Sequence, residues 1–254
     1  MLIALDIGNS SINIGYFTEM GLFVQKMTTS PLLSSSQYSL LFSRYMEEKK
    51  IDKRPEGSII SSVVSDYTMV FMKALKTLTS SEPLVVRWTL KTGLEFAIPN
   101  PEGLGSDRIA NAVAAYESYK SPVAAVDFGT ASTVTVVNRD ARYIGGVILP
   151  GIRLMNASLA KGTSQLQEVP LKPPASALGG DTAQCIQSGL FYGTAGAVER
   201  ILCEIEKENG FKLNVVVSGG FGELISGFLQ RKHDLRPHLT LEGLRLIYMR
   251  NTDA

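Results

Sequence analysis

Residues 2–15 read Leu-Ile-Ala-Leu-Asp6-Ile-Gly8-Asn-Ser10-Ser-Ile12-Asn-Ile-Gly15. An apolar run ends in a carboxylate, passes through Gly-Asn-Ser-Ser, and resumes as Ile12 and Ile14 alternating with polar neighbours. That pattern predicts a strand, a tight turn and a second strand. The turn carries the chemistry. Gly8 can take a positive φ and lets a ligand approach the backbone. The amides that follow, with the hydroxyls of Ser10 and Ser11, can converge on phosphate oxygens. Asp6 then stands beside the phosphates, where a carboxylate can hold a hydrated cation.

The pattern is written a second time at 124–137, Ala-Ala-Val-Asp127-Phe-Gly129-Thr130-Ala-Ser-Thr-Val-Thr-Val-Val. An apolar run, Asp, one apolar residue, Gly, hydroxyls and an alternating strand recur in the same order. A single Asp-x-Gly is as readily an ordinary hairpin turn. Two copies in the same strand-turn-strand context argue for duplication and for a two-lobed nucleotide clamp.

Working outward, Gly21 to Thr28 supplies a third strand. Ser34 to Lys50 has helical spacing, Ser58 to Val64 is a buried strand, Tyr67 to Leu78 a helix and Pro83 to Trp88 a further strand. Three hairpin-linked strands followed by helix-strand alternation is the ribonuclease-H-like order of actin-type ATPases and sugar kinases. Lys91 to Gly105, with Pro99, Pro101 and three glycines, is a connecting loop. The order then repeats. Strands fall near 123–127, 131–137 and 142–148, a helix opens at Ile152, a long helix runs from about Thr182 to Lys207, a strand covers Leu213 to Val217, and helices follow at Phe221–Leu229 and about Leu241–Met249. On the long helix Ile186, Leu190, Ala197, Ile201 and Ile205 form the expected core stripe. The expected fold is α/β, with two ribonuclease-H-like (actin-like) lobes on mixed five-stranded sheets from an internal duplication. The expected lobes are residues 1–105 and 106–254, with ATP and substrate in the cleft between them.

The 254 residues suffice for two cores of ordinary size. With 25 Lys plus Arg against 24 Asp plus Glu, the net charge of +1 gives no global field for nucleic acid or an anionic membrane. Anions are therefore expected to be bound locally. No apolar stretch reaches membrane-span length, and the first residues enter a strand with no signal-like segment, so a cytoplasmic setting is expected. Cys185 and Cys203 lie about 27 Å apart along one predicted helix and cannot pair within it. They are expected to be core thiols.

Several other groupings bear on chemistry. In Gly105-Ser106-Asp107-Arg108, Ser106 as N-cap with Asp107 in the first turn is ordinary helix-start chemistry. Arg108 points elsewhere, because a guanidinium at a helix N-terminus is electrostatically misplaced unless it joins the free amides in holding a carboxylate. Asp107 would then face a substrate hydroxyl. Gly145-Gly146 fits either close approach of a ligand or a hairpin edge. Ser218-Gly219-Gly220 turns from a strand into a helix and can pack against a nucleoside. His233 and His238 lack neighbouring ligands and are expected to be surface residues.

Asp6-Ile-Gly-Asn-Ser10, Gly105-Ser-Asp-Arg108, Asp127-Phe-Gly-Thr130, Gly145-Gly146 with Pro150-Gly151, and Gln187-Ser-Gly189 with Tyr192-Gly193 together resemble the type III pantothenate kinases, in the same order and across the whole chain. The resemblance implies ATP-dependent phosphorylation of the primary hydroxyl of pantothenate to 4'-phosphopantothenate, the first step of coenzyme A biosynthesis. It also implies ATP with Mg²⁺, a monovalent cation (K⁺ or NH₄⁺) and a homodimer. By position, Asp6, Ile7, Gly8, Asn9, Ser10, Ser11, Ile12 and Asn13 are similar to the ATP phosphate turn, and Thr130 to a nucleotide contact. Gly105, Ser106, Asp107 and Arg108 resemble the pantothenate site, with Asp107 as proton acceptor. Asp127 is similar to the potassium-binding aspartate, and Thr182 to a substrate contact made across the dimer interface. One departure is visible: the family often has Tyr just before an Asn-Pro, whereas Asn100-Pro101 follows Ile98-Pro99 here. The rival readings are an actin-like kinase for another small acceptor and a non-catalytic actin-like nucleotide-binding regulator.

Overall fold

The computed structural model describes residues 1–51 and 54–252, and they form two compact units. The first comprises Met1–Ala114 and Leu239–Ala254, the second Ala115–His238.

In the first unit, β1 (Leu2–Ile7), β2 (Ser11–Thr18) and β3 (Gly21–Thr28) form an antiparallel meander. Helix α1 (Ser35–Glu48) leads to β4 (Gly57–Ser62), and α2 (Ser65–Thr79) to the short β5 (Leu84–Val85). Because each helix returns the chain in the same direction, β4 pairs parallel to β1 and β5 parallel to β4. The sheet order is β3-β2-β1-β4-β5. Both faces are covered. On one, Ile3, Leu5, Ile7, Ile12 and Ile14 pack with Tyr38, Phe42 and Phe71 of the two helices. On the other, Leu2, Ala4 and Ile59 pack with Ile109, Ala110 and Val113 of α3 (Ser106–Tyr119) and with Leu241, Leu244 and Ile247 of α7 (Leu239–Thr252). The 91–105 segment, expected to be loop throughout, contains a two-residue strand, β6 (Glu95–Phe96).

The helix near 241–249 therefore belongs with the first sheet, and the units do not divide at Gly105/Ser106 as the sequence suggested. The reason is close packing. A methyl group at Gly243 of α7 would stand 1.9 Å from the Ala110 carbonyl oxygen, and one at Gly57 of β4 would stand 1.7 Å from Tyr248 Oη.

The second unit repeats the plan with β7 (Val123–Phe128), β8 (Ala131–Val137) and β9 (Arg142–Pro150) antiparallel. Helices α4 (Ile152–Gly162) and α5 (Thr182–Asn209) precede β10 (Asn214–Ser218), which lies parallel to β7. A short α6 (Gly222–Ser226) and β11 (Asp234–Leu235) follow, so the order within this unit is β11-β10-β7-β8-β9. The core joins Ala124, Val126, Phe128, Val134 and Val136 to Ile186, Leu190, Phe191, Val198 and Leu202.

Helix α5 buries Ile186 and Leu190 of the expected stripe, but beyond them the buried face shifts: Phe191, Ala195, Val198, Leu202 and Glu206 are buried, while Ala197, Ile201 and Ile205 are only half-buried. Cys185 is exposed and Cys203 half-buried, so neither is the core thiol expected. No helix among the described residues is long and apolar enough to cross a membrane.

Candidate active site

The first turn joins β1 to β2. Asp6 pairs with Asn13 across the antiparallel ladder, and Gly8 N donates to Ser11 O at 3.0 Å. The Ile7 and Ile12 side chains are fully buried, so they anchor the turn in the core. Asn9 and Ser10 are exposed, while Gly8, Ser11 and Asn13 are half-buried. A second hydrogen-bonded layer braces the loop: Thr29 Oγ1 donates to Gly8 O at 2.7 Å, and Tyr67 Oη donates to Thr29 O. Gly8 does not use the positive φ open to glycine; the positive-φ glycines are Gly21, Gly93, Gly145, Gly210 and Gly219. Its need is steric instead: a methyl group there would stand 3.2 Å from Ser11 O.

The start of helix α3, with Gly105-Ser106-Asp107-Arg108, lies in the same unit. Ser106, a possible N-cap by sequence, is the first helical residue and is 7% exposed. Its Oγ accepts from Ser62 N at 2.9 Å and lies 3.0 Å from Ser61 Oγ, so the hydroxyl is committed to the end of β4. Ser61 Oγ in turn donates to Asp6 Oδ1 at 3.1 Å. The end of β1 and the start of α3 are thus joined by side chains. Asp107 and Arg108 are half-buried in the first turn of α3. Gly105 keeps space for the carboxylate, because a methyl group there would stand 2.5 Å from Asp107 Oδ1. Among the described residues, no carboxylate pairs with Arg108.

In the second unit Asp127 pairs with Thr133, Gly129 N donates to Ala131 O at 3.1 Å, and Asp127 and Thr130 are half-buried. This turn is one residue shorter than the first, since Asp127 and its partner are six apart where Asp6 and Asn13 are seven. Two glycine segments press on it. A methyl group at Gly151 would stand 2.3 Å from Gly129 O, and one at Gly219 would stand 2.5 Å from Asp127 Oδ1. Phe221 N donates to Phe128 O at 2.9 Å, fixing the Gly219-Gly220 turn against the end of β7. Gly145 and Gly146 belong to sheet geometry: φ at Gly145 is +139°, a register shift falls opposite at Val136/Val137, and a methyl group at Gly146 would meet Val134 O at 2.2 Å. Thr182 is exposed at the start of α5, behind an Asp181 cap that accepts from Gln184 N. His233 is half-buried and His238 exposed.

Sequence reasoning missed Ser61. Three of the six residues of β4 are serines, and nothing local marked Ser61 as the one whose hydroxyl would meet residues 55 positions before and 45 after it.

The family model for type III pantothenate kinases matches residues 2–204. A type III pantothenate kinase of Roseiflexus sp. (strain RS-1) is 39% identical over 253 residues, covering 99% of each chain. The one from Agathobacter rectalis is 36% identical over 251 residues, covering 98% of this chain and 96% of its own. Among solved structures, the activator of the 2-hydroxyisocaproyl-CoA dehydratase from Clostridium difficile with bound ADPNP has a TM-score of 0.56 at 10% identity, covering 96% of this chain and 92% of its own. That likeness is one of fold. With the motifs in order and the relatives matched end to end, the chain belongs to the type III pantothenate kinases.

Proposed function

We propose that this chain transfers the γ-phosphoryl group of ATP to the primary hydroxyl of pantothenate, giving 4'-phosphopantothenate. The observation that carries the reading is the first turn of α3. There a half-buried guanidinium with no carboxylate partner among the described residues adjoins a carboxylate that Gly105 leaves room for.

Phosphoryl transfer asks little covalent work of the protein, so positioning and charge neutralisation dominate. The backbone of Gly8 to Ser11, with its serine hydroxyls, receives phosphate oxygens, and Thr29 keeps the loop in shape from behind. Arg108 forks onto the acceptor's carboxylate. Asp107 accepts the proton of the attacking hydroxyl as the new P–O bond forms and the bond to the ADP oxygen breaks. Ser106 contributes through its tie to β4 and not through a free hydroxyl.

Among the described residues no group of three or more His, Cys, Asp or Glu could hold a metal by itself. That suits a divalent ion carried on nucleotide phosphates with water and one carboxylate, for which Asp6 is the donor. Mg²⁺ so held would neutralise charge on the nucleotide phosphates. Asp127, with Gly129 and Gly219 folded around it, is the donor for K⁺ or NH₄⁺, and Thr130 beside it contacts the nucleotide. A homodimer is what the family membership implies, and the exposed apolar side chains Ile148 on β9, Leu154 on α4 and Tyr192 on α5 are compatible with it. Thr182, exposed on the same unit, is the residue offered to the partner's substrate.

Purified protein with ATP, Mg²⁺, K⁺ and pantothenate is expected to release ADP and 4'-phosphopantothenate in equal amounts by mass spectrometry. No ADP above the rate without pantothenate overturns the reading.

A further inference from the structure

Strand β4 carries three serines, two buried and one half-buried, with different fates. Ser58, 1% exposed, makes no hydrogen bond through its hydroxyl. Ser61, fully buried, lies between two functional elements, 3.1 Å from Asp6 Oδ1 and 3.0 Å from Ser106 Oγ. Half-buried Ser62 gives its amide to Ser106 Oγ at 2.9 Å.

The direction of the chain follows from proton counting. An ionised carboxylate only accepts, so the Ser61 proton points to Asp6. Ser61 then accepts from Ser106, whose lone pairs take the Ser62 amide. The alternative acceptor for Ser106, the Ser62 carbonyl, is longer at 3.2 Å and would leave two hydroxyl oxygens facing each other with no proton between them. Three donors therefore point the same way, towards Asp6, in a water-poor interior where such chains strengthen one another.

We propose that Ser61 is a positioning residue for the phosphoryl transfer. It ties the carboxylate of the phosphate turn to the first turn of α3, so that Asp107 and Arg108 are held at one distance from the turn that receives the phosphates. This rests on the pantothenate kinase reading above. Ser61 itself is buried and touches neither substrate; it acts through Asp6 and Ser106.

The test compares wild type, Ser61→Ala, Ser106→Ala, the double variant and Ser58→Ala in the full chain with Mg²⁺ and K⁺. Ser61→Ala is expected to lower kcat about 10- to 100-fold, the usual effect of a small misplacement, with KM for ATP and pantothenate within about threefold. The double variant is expected to be no slower than about twofold below the slower single variant, because both break one chain. Ser58→Ala is expected to keep wild-type kcat and thermal midpoint. A readout independent of turnover is amide hydrogen exchange at residues 106–109. A non-hydrolysable ATP analogue is expected to slow it in wild type and to leave it unchanged in Ser61→Ala. Ser61→Ala turnover within about threefold of wild type, single effects that multiply in the double variant, an equal loss in Ser58→Ala, or analogue protection that survives in Ser61→Ala each overturns the proposal. If Ser61→Ala does not fold, Ser106→Ala is read by the same criteria. If wild type itself fails to phosphorylate pantothenate, the functional reading falls, and the exchange measurement still decides whether Ser61 links the two elements.

Discussion

Gly219 stands so close to Asp127 that a methyl group on it would lie 2.5 Å from Asp127 Oδ1 and 2.6 Å from the Phe128 backbone. Its φ of +93° is also one that other residues rarely adopt. The backbone of Phe128 cannot move aside, because it is held in β7 and accepts from Phe221 N. Gly219→Ala is therefore expected to lose about 1–3 kcal/mol of stability and to turn the Asp127 carboxylate out of place. A thermal midpoint and a K⁺ titration on one preparation check this. An unchanged midpoint with an unchanged K⁺ requirement contradicts it.

The same carboxylate sets the expectation for monovalent ions. Asp127 is the penultimate residue of β7, follows an apolar run and is half-buried, and an ionised carboxylate so placed is stabilised by a cation. Replacing K⁺ by choline is expected to remove most turnover, and NH₄⁺ to restore it. Full turnover in choline alone shows that Asp127 needs no such ion.

Much of this arrangement was legible in the sequence for a physical reason: a turn repeated with its flanking strands is local, and local patterns survive in one dimension. The Asp6 and Asp127 turns, the meander after each and the start of α3 all lie in short windows. What could not be read depends on distant partners. The stripe Leu241, Leu244 and Ile247 says that α7 is amphipathic but not which sheet it covers; Gly243 against Ala110 and Gly57 against Tyr248 decide that. On α5, apolar residues run nearly all round, so periodicity chose Ala197 and Ile201 over the buried Ala195, Val198 and Leu202. The burial of Glu206 likewise depends on partners outside its helix, Arg231 and Lys212.

Gly105→Ala separates geometry from folding. The atom nearest a methyl group there is Asp107 Oδ1 at 2.5 Å, and the next is Arg108 Nε at 3.7 Å. The φ of Gly105 is an ordinary one, so the backbone accepts alanine and the carboxylate must turn away. The thermal midpoint is expected to stay within about 3 °C of wild type while kcat falls at least about tenfold. Normal turnover would mean that Asp107 acts from another position.

Glu206 governs acid stability away from the site. Its carboxylate is 6% exposed, accepts from Leu213 N at 2.9 Å, and pairs with Arg231 at 3.2 Å and Lys212 at 3.1 Å. Burial alone would raise its pKa. The Leu213 amide, Arg231 and Lys212 outweigh burial and hold it below the ordinary 4.5. A depressed carboxyl pKa contributes stability that is complete above the unfolded value and is lost as pH falls through the folded one. Glu206→Gln is expected to be about 2 kcal/mol less stable at pH 7. The gap to wild type is expected to narrow only below pH 4.5. Denaturant unfolding of both proteins across that window checks it, and a constant gap contradicts the assignment.

Asp107→Asn tests the chemical step. Asparagine is nearly isosteric, keeps a hydrogen-bond acceptor in the first helical turn, and is expected to change stability by no more than about 1 kcal/mol. It cannot take the proton of the acceptor hydroxyl, so turnover is expected to fall roughly 10²- to 10⁴-fold, the usual worth of a positioned base. ATP binding, which rests on the Gly8 turn, is expected to stay within about threefold. Were Asp107 only a favourable charge at the start of α3, the pattern would reverse, with a small loss of stability and near-normal turnover. Measuring kcat, the thermal midpoint and ATP affinity on one preparation distinguishes the two. Turnover within about threefold of wild type is too small a loss for a proton acceptor and would move that role away from Asp107.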